Sequence, residues 1–220
     1  MTRRIALVGA LAAVILLAGA SRQQSAARLV QYGSSDTPAV GRVLVASEKL
    51  GDPNFSQSVV LIIRFDPDKG TLGLMINRRS KVPISRIFPD VSGAKADPVY
   101  LGGPVELSTA QALLRTPSKS DDMVHVLGNV FATASKDIIE KSISARAEPS
   151  KFHIYLGYAG WAAGQLEAEM ELGAWSVLRV TPDDIFDEDP DSLWTRLSRK
   201  ADSQIAFDAR PSGRMIPSSH

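Results

Sequence analysis

Residues 58–76, SVVLIIRFDPDKGTLGLMI, hold two apolar runs on either side of a short polar break, and how they are read sets the fold class. The first run, residues 58–65, is rich in Val and Ile; the second is Leu72-Gly73-Leu74-Met75-Ile76. β-Branched side chains are stiff at χ1 and pack well on a pleated surface, so both runs favour extended backbone. Between them Asp66-Pro67-Asp68-Lys69-Gly70 collects the residues that bend a chain. The stretch therefore predicts a β-hairpin.

Outward from this hairpin, further strands are expected at Val43-Leu44-Val45-Ala46 and at residues 98–101, 124–127, 152–158 and 175–180. Helices are expected at residues 108–114, 134–145, 165–172 and 192–199. In the second of these, Ile138, Ile139 and Ile143 recur at helical spacing and Ser135 stands where a cap belongs. The folded region then covers residues 40–207. It is flanked by a Ser-, Gln- and Ala-rich linker at 21–39 and a Pro- and Ser-containing tail at 208–220.

Ahead of the linker, Arg3 and Arg4 precede an uncharged apolar run that ends at Ala18-Gly19-Ala20 before Ser21. Basic residues, an apolar stretch and a small-x-small ending are the features of an export signal. The run falls short of the ~20 apolar residues that span a bilayer comfortably. Residues 1–20 thus read as a signal peptide, cleaved after Ala20, with an inner-membrane anchor as the alternative. Membrane association is expected only through them, and the compartment expected is the periplasm.

The chain has no cysteine, which removes disulfides, thiolate nucleophiles and thiolate metal sites. Between residues 40 and 207 there are 19 Lys and Arg against 22 Asp and Glu, with no basic stripe, which argues against nucleic acid as a partner. No serine lies in a Gly-x-Ser-x-Gly elbow. His125 and His153 each sit in a strand-like run and read as exposed or satisfied imidazoles, and with His220 in the tail they form no zinc spacing. The run 183–191 holds six carboxylates broken by Phe186 and Pro190, without calcium-loop spacing, and reads as a solvated loop. The sequence calls for no metal, no cofactor and no catalytic residue.

Four segments are dense in Gly, Pro and particular polar residues: Gly51-Asp52-Pro53-Asn54-Phe55, Gly73-Leu74-Met75-Ile76-Asn77-Arg78, Tyr100-Leu101-Gly102-Gly103-Pro104-Val105, and the stretch from Leu156-Gly157-Tyr158-Ala159-Gly160-Trp161 to Gly164-Gln165-Leu166-Glu167-Ala168-Glu169. In this order and spacing the chain resembles the YqgE/AlgH family over residues 41–199. The resemblance implies an α+β fold, with mixed, mainly antiparallel sheets curled into a pseudo-barrel and short helices packed on it. It brings no established activity; the family has been described as one of candidate transcriptional regulators. Its usual members are cytosolic and begin near the position of Gly41, so the leader here is a departure.

Glycine-rich turns and polar residues converging on a concavity are how small-ligand sites are commonly built. Asn77, Arg78, Gly102, Gly103, Trp161, Gln165 and Glu167 are accordingly the expected ligand-binding set. The function expected is a non-enzymatic protein of the cell envelope that binds a small ligand or an envelope protein. Two alternatives stand beside it: a cytosolic transcriptional regulator, and a small-substrate hydrolase using Glu167 as base and the Gly102-Gly103 backbone as oxyanion site.

Overall fold

In the computed structural model the residues described are 37–208, with side chains described to 204. The expected leader, all but the last residues of the linker and nearly all of the tail lie outside them. The elements in chain order are β1 (Arg42–Ala46), β2 (Val59–Asp66), β3 (Gly70–Met75), β4 (Arg79–Pro83), α1 (Ile84–Ile87), β5 (Pro98–Leu101), β6 (Val105–Arg115), β7 (Val124–Leu127), β8 (Val130–Thr133), α2 (Lys136–Ser144), β9 (Phe152–Trp161), α3 (Gln165–Glu171), β10 (Trp175–Arg179), α4 (Pro182–Ile185) and α5 (Pro190–Asp208).

The hairpin forms as the sequence predicts: β2 and β3 pair antiparallel, with Leu61 opposite Leu74 and Asp66 opposite Gly70. Asp66 makes the turn, because its Oδ1 accepts the amides of Asp68 at 3.0 Å and Lys69 at 3.2 Å. Gly70 is required on two counts, a φ of +98° and a hypothetical Cβ only 2.2 Å from the carbonyl oxygen of Trp161.

The strands join in the order β10-β1-β2-β3-β9-β6-β8-β7, antiparallel throughout, with β4 and β5 as a side branch that meets β9 through the parallel pair β5–β9. The ladder has two ends, so this α+β sheet curls without closing on itself. β9 is the junction, pairing with β3 through Gly160 and Ala159, with β5 through Tyr155, and with β6 along Phe152 to Leu156.

The central strands carry near-continuous apolar runs, residues 43–46, 59–63 and 72–75, because both of their faces are covered there. Val43, Val45, Leu61 and Leu74 face a core closed by Leu193, Trp194 and Leu197 of α5. Leu44, Val60, Ile62 and Met75 face the other side, where Leu166 of α3 meets Trp161 and Trp175. Each fully buried Leu, Ile or Val contributes about 1.5–3 kcal/mol relative to exposure. Trp194 also donates its indole N–H to the carbonyl of Ala46 at 2.8 Å, which fixes α5 on β1. A third cluster gathers Ile84, Val99, Ala112, Leu114, Ile139, Ile143 and Ile154 between α1, α2 and strands β5, β6 and β9.

Four expectations need correction. Residues 108–114 are not a helix but lie within β6, between β9 and β8. The Ala, Gln and Leu there favour a helix locally, and two strand partners override that preference. Ser135 stands at the N-cap of α2 without a side-chain bond to it. The acidic run is no plain loop: it opens as α4, where Thr181 and Asp184 form a reciprocal capping box. Finally, α5 runs well past the expected residues 192–199.

Candidate functional site

Most of the expected ligand-binding residues hold the chain itself. Asn77 accepts the Val59 amide at 2.8 Å and donates to the Gln57 carbonyl at 2.9 Å, while Arg78 donates to the Ser56 carbonyl at 2.8 Å. Both side chains thereby clamp the loop that carries Phe55. The Phe55 ring in turn lies 5.9 Å from Trp161 and 5.5 Å from Trp175.

Both indoles converge on one carboxylate. Glu169 Oε2 accepts from Trp161 Nε1 at 2.9 Å and from Trp175 Nε1 at 2.8 Å, and Oε1 accepts from Gln165 at 2.9 Å. Gln165 and Glu169 share a helix face four residues apart. Glu167 points elsewhere and is exposed.

Gly102 and Gly103 mark a backbone crossing. The Gly102 N–H donates to the Leu156 carbonyl at 2.8 Å and its carbonyl accepts from Met75 at 2.8 Å, so that N–H is committed and not offered to an oxyanion. A Cβ on Gly102 would lie 2.3 Å from the Gly157 oxygen, and one on Gly103 would lie 2.1 Å from the Tyr158 carbonyl carbon. Asn77, Arg78 and Trp161 thus meet at the Phe55 loop, Gln165 is linked to Trp161 through Glu169, and among the described residues Gly102, Gly103 and Glu167 form no hydrogen bond with them. None of the seven lines the cavity that follows.

That cavity, of about 400 Å³, opens where β4, β5 and β9 meet the connections after α2 and α4. Register places Arg79 of β4 opposite Tyr100 of β5, and Tyr100 opposite Tyr155 of β9. His153, two residues before Tyr155, is 7% exposed. Its ring stacks on Tyr100 with centroids 4.5 Å apart, and Phe186 covers it at 5.0 Å. The Tyr155 hydroxyl lies 3.4 Å from His153 Nδ1.

Burial decides the charge of this floor. Desolvation, assisted by the Arg79 guanidinium, lowers the His153 pKa to about 4. Burial also raises the Tyr100 hydroxyl against the opposing pull of Arg79, and pushes Tyr155 well above its ordinary value. At neutral pH the floor therefore presents the Tyr100 phenol and the His153 imidazole, both uncharged, with the uncharged Tyr155 phenol buried behind His153. An imidazole with a pKa near 4 is a poor general base at that pH and a good hydrogen-bonding group.

The rim is charged, carrying Arg79 together with Asp97, Glu148, Asp187 and Glu188. Asp187 is paired with Arg196, and Glu148 with Lys95 at 3.9 Å. Arg79 donates to the backbone carbonyl of Glu188 at 3.0 Å. Among the described residues no cluster of His, Asp and Glu is arranged to hold a metal.

Sequence reasoning passed over this site. Tyr100 lies in a glycine-rich motif, and His153, expected to be an exposed or satisfied imidazole, is buried against Tyr100 with the Tyr155 hydroxyl 3.4 Å from its Nδ1. The available signal was the alternation His153, Tyr155 on one strand, which places two polar aromatics on the same face. The partners from β4, β5 and the turn after α4 come from tertiary pairing and leave no mark in local spacing.

Comparison with known proteins agrees with the sheet and its connections. A solved crystal structure of protein DIP2367 from Corynebacterium diphtheriae superposes with a TM-score of 0.66 at 23% identity, over 85% of this chain and all of that one, which shows the shared fold. The solution structure of the AlgH protein from Pseudomonas aeruginosa superposes with a TM-score of 0.62 at 30% identity, over 81% of this chain and 98% of that one. A UPF0301 protein of Thermobifida fusca is 35% identical over 182 residues, spanning 76% of this chain and 89% of that protein. With the AlgH-like family profile matching residues 43–206, this chain belongs to the AlgH-like family.

Proposed function

We propose that this chain is a binding protein for a small organic ligand held in the cavity of Tyr100, His153 and Phe186, and that residues 1–20 deliver it to the cell envelope. The observation that carries the first half is a cavity of about 400 Å³ whose floor is a buried imidazole stacked on Tyr100 and flanked by the tilted ring of Phe186. That volume falls within the roughly 300–1,000 Å³ usual for small-molecule sites, and an apolar lining with a few placed polar groups is their usual composition. Binding fits better than hydrolysis, because an imidazole with a pKa of about 4 is too weak a base at neutral pH, Glu167 lies outside the cavity and the Gly102 amide is already bonded.

A fragment library screened by NMR against the full chain tests this reading. Hits should move the ring resonances of His153 and Phe186 and lose affinity in Phe186→Ala. Hits that gather elsewhere, or none at all, would sink it.

The envelope half rests on Arg3, Arg4 and the apolar run to Ala20, which precede the residues matched by the family. Among the described residues no helix is long and apolar enough to cross a membrane. Cell fractionation with the mass of the mature N-terminus decides it: a periplasmic species beginning at Ser21 supports export, and an unprocessed cytosolic species refutes it.

A further inference from the structure

We propose that the ligand of this cavity is a small organic cation, an amine or guanidinium joined to an apolar body; the inference rests on the cavity being a binding site. Three observations converge on it. The rim brings four carboxylates, Asp97, Glu148, Asp187 and Glu188, against the single cation Arg79. Arg196 and Lys95 offset Asp187 and Glu148, while neither Asp97 nor Glu188 has an ion-pair partner among the described residues.

The cation on the rim is also already engaged. Arg79 donates to the Glu188 carbonyl at 3.0 Å and lies beside the Tyr100 hydroxyl, so part of its donor set is committed to the protein. An anion entering here would meet an excess of carboxylates over the one guanidinium, and like charges brought together in a partly desolvated mouth repel more strongly than in bulk water.

The third observation is the floor. Tyr100, Phe152, His153 and Phe186 offer aromatic surface carrying no formal charge at neutral pH. The negative face of such rings attracts a cation, and their edges and faces pack an apolar body. Carboxylates at the mouth above aromatic rings at the base match a ligand with its positive end outward and its apolar end inward.

Three compounds of one apolar body separate the possibilities: 2-phenylethylamine, 3-phenylpropionate and 2-phenylethanol, each titrated into the full chain at neutral pH while the His153 and Phe186 ring resonances are followed. The amine should bind at least about tenfold more tightly than either of the others. That preference should fall to threefold or less in the double variant Asp97→Asn, Glu188→Gln, whose changes are isosteric, and it should weaken with added salt. Equal or tighter binding of the acid or the alcohol at these resonances would overturn the cation while leaving the cavity as a site. Three compounds that leave both rings unmoved would overturn the cavity reading and this inference together.

Discussion

Trp161 donates its indole N–H to Glu169 Oε2 at 2.9 Å, and Trp175 donates to the same oxygen at 2.8 Å. Both tryptophans are 5% exposed, so removing the acceptor leaves two sheltered donors without a partner. Glu169→Ala should cost about 2–4 kcal/mol in urea unfolding, since each orphaned buried donor is worth about 1–3 kcal/mol. Glu169→Gln keeps an oxygen for the indoles and should cost about 1 kcal/mol. Exposed Glu167→Ala should change stability by less than about 0.5 kcal/mol.

Acid should destabilise the fold through His153. Its folded pKa of about 4 lies below the unfolded value of 6.5, so the unfolded chain binds the proton more readily between those limits. The preference for the neutral form is fully present above pH 6.5 and is lost as pH falls toward 4. Between pH 7 and pH 5 the loss should be about 2 kcal/mol. Urea melts of the native chain and of His153→Phe at both pH values isolate it, because the variant should lack that share of the slope.

The backbone crossing at Gly102-Gly103 should tolerate no side chain. With Tyr158 and Gly157 backbone atoms at 2.1–2.3 Å from the added Cβ, Gly103→Ala and Gly102→Ala should each cost about 3 kcal/mol or more, or prevent folding. Gly51→Ala, which meets nothing within 4 Å, should be almost neutral.

Asn77→Ala should remove the acceptor of the Val59 amide and the donor to Gln57, at a cost of about 1–3 kcal/mol. Amide exchange should rise first at Val59 and in the Phe55 loop. Uniform loosening of the whole sheet would contradict a local clamp.

Much of the sheet was legible because its strongest signals are local. Asp66 to Gly70 names its own turn, and the Val-, Leu- and Ile-rich runs of β1 and β2 are too short for helices. β6 misled because Ala112 and Leu114 face one cluster and Leu113 another, and a strand buried on both sides has no alternation to show. β4 and β8 were missed for a different reason: β4 reads Arg-Ser-Lys-Val-Pro and β8 holds only four residues, so neither offers enough pattern. Of the residues expected to bind a ligand, Asn77 and Arg78 bond the Phe55 loop, the Trp161 ring lies beside Phe55, and Gln165 bonds Glu169. The cavity stayed hidden because Arg79, Tyr100, His153 and Phe186 are brought together only by strand pairing and the turn after α4.

The place of β9 bears on how the chain is made. Strands β3, β5 and β6 are all translated before residues 152–161, and each pairs with that later segment. At about 5–20 residues per second, synthesis from the start of β3 to the end of β9 takes several seconds. Within that interval the β2–β3 hairpin and then the β6–β8–β7 strands are made without the strand that joins them, and open edges invite pairing with other chains. Only once β9 is made can the pieces on its two sides be joined into one sheet.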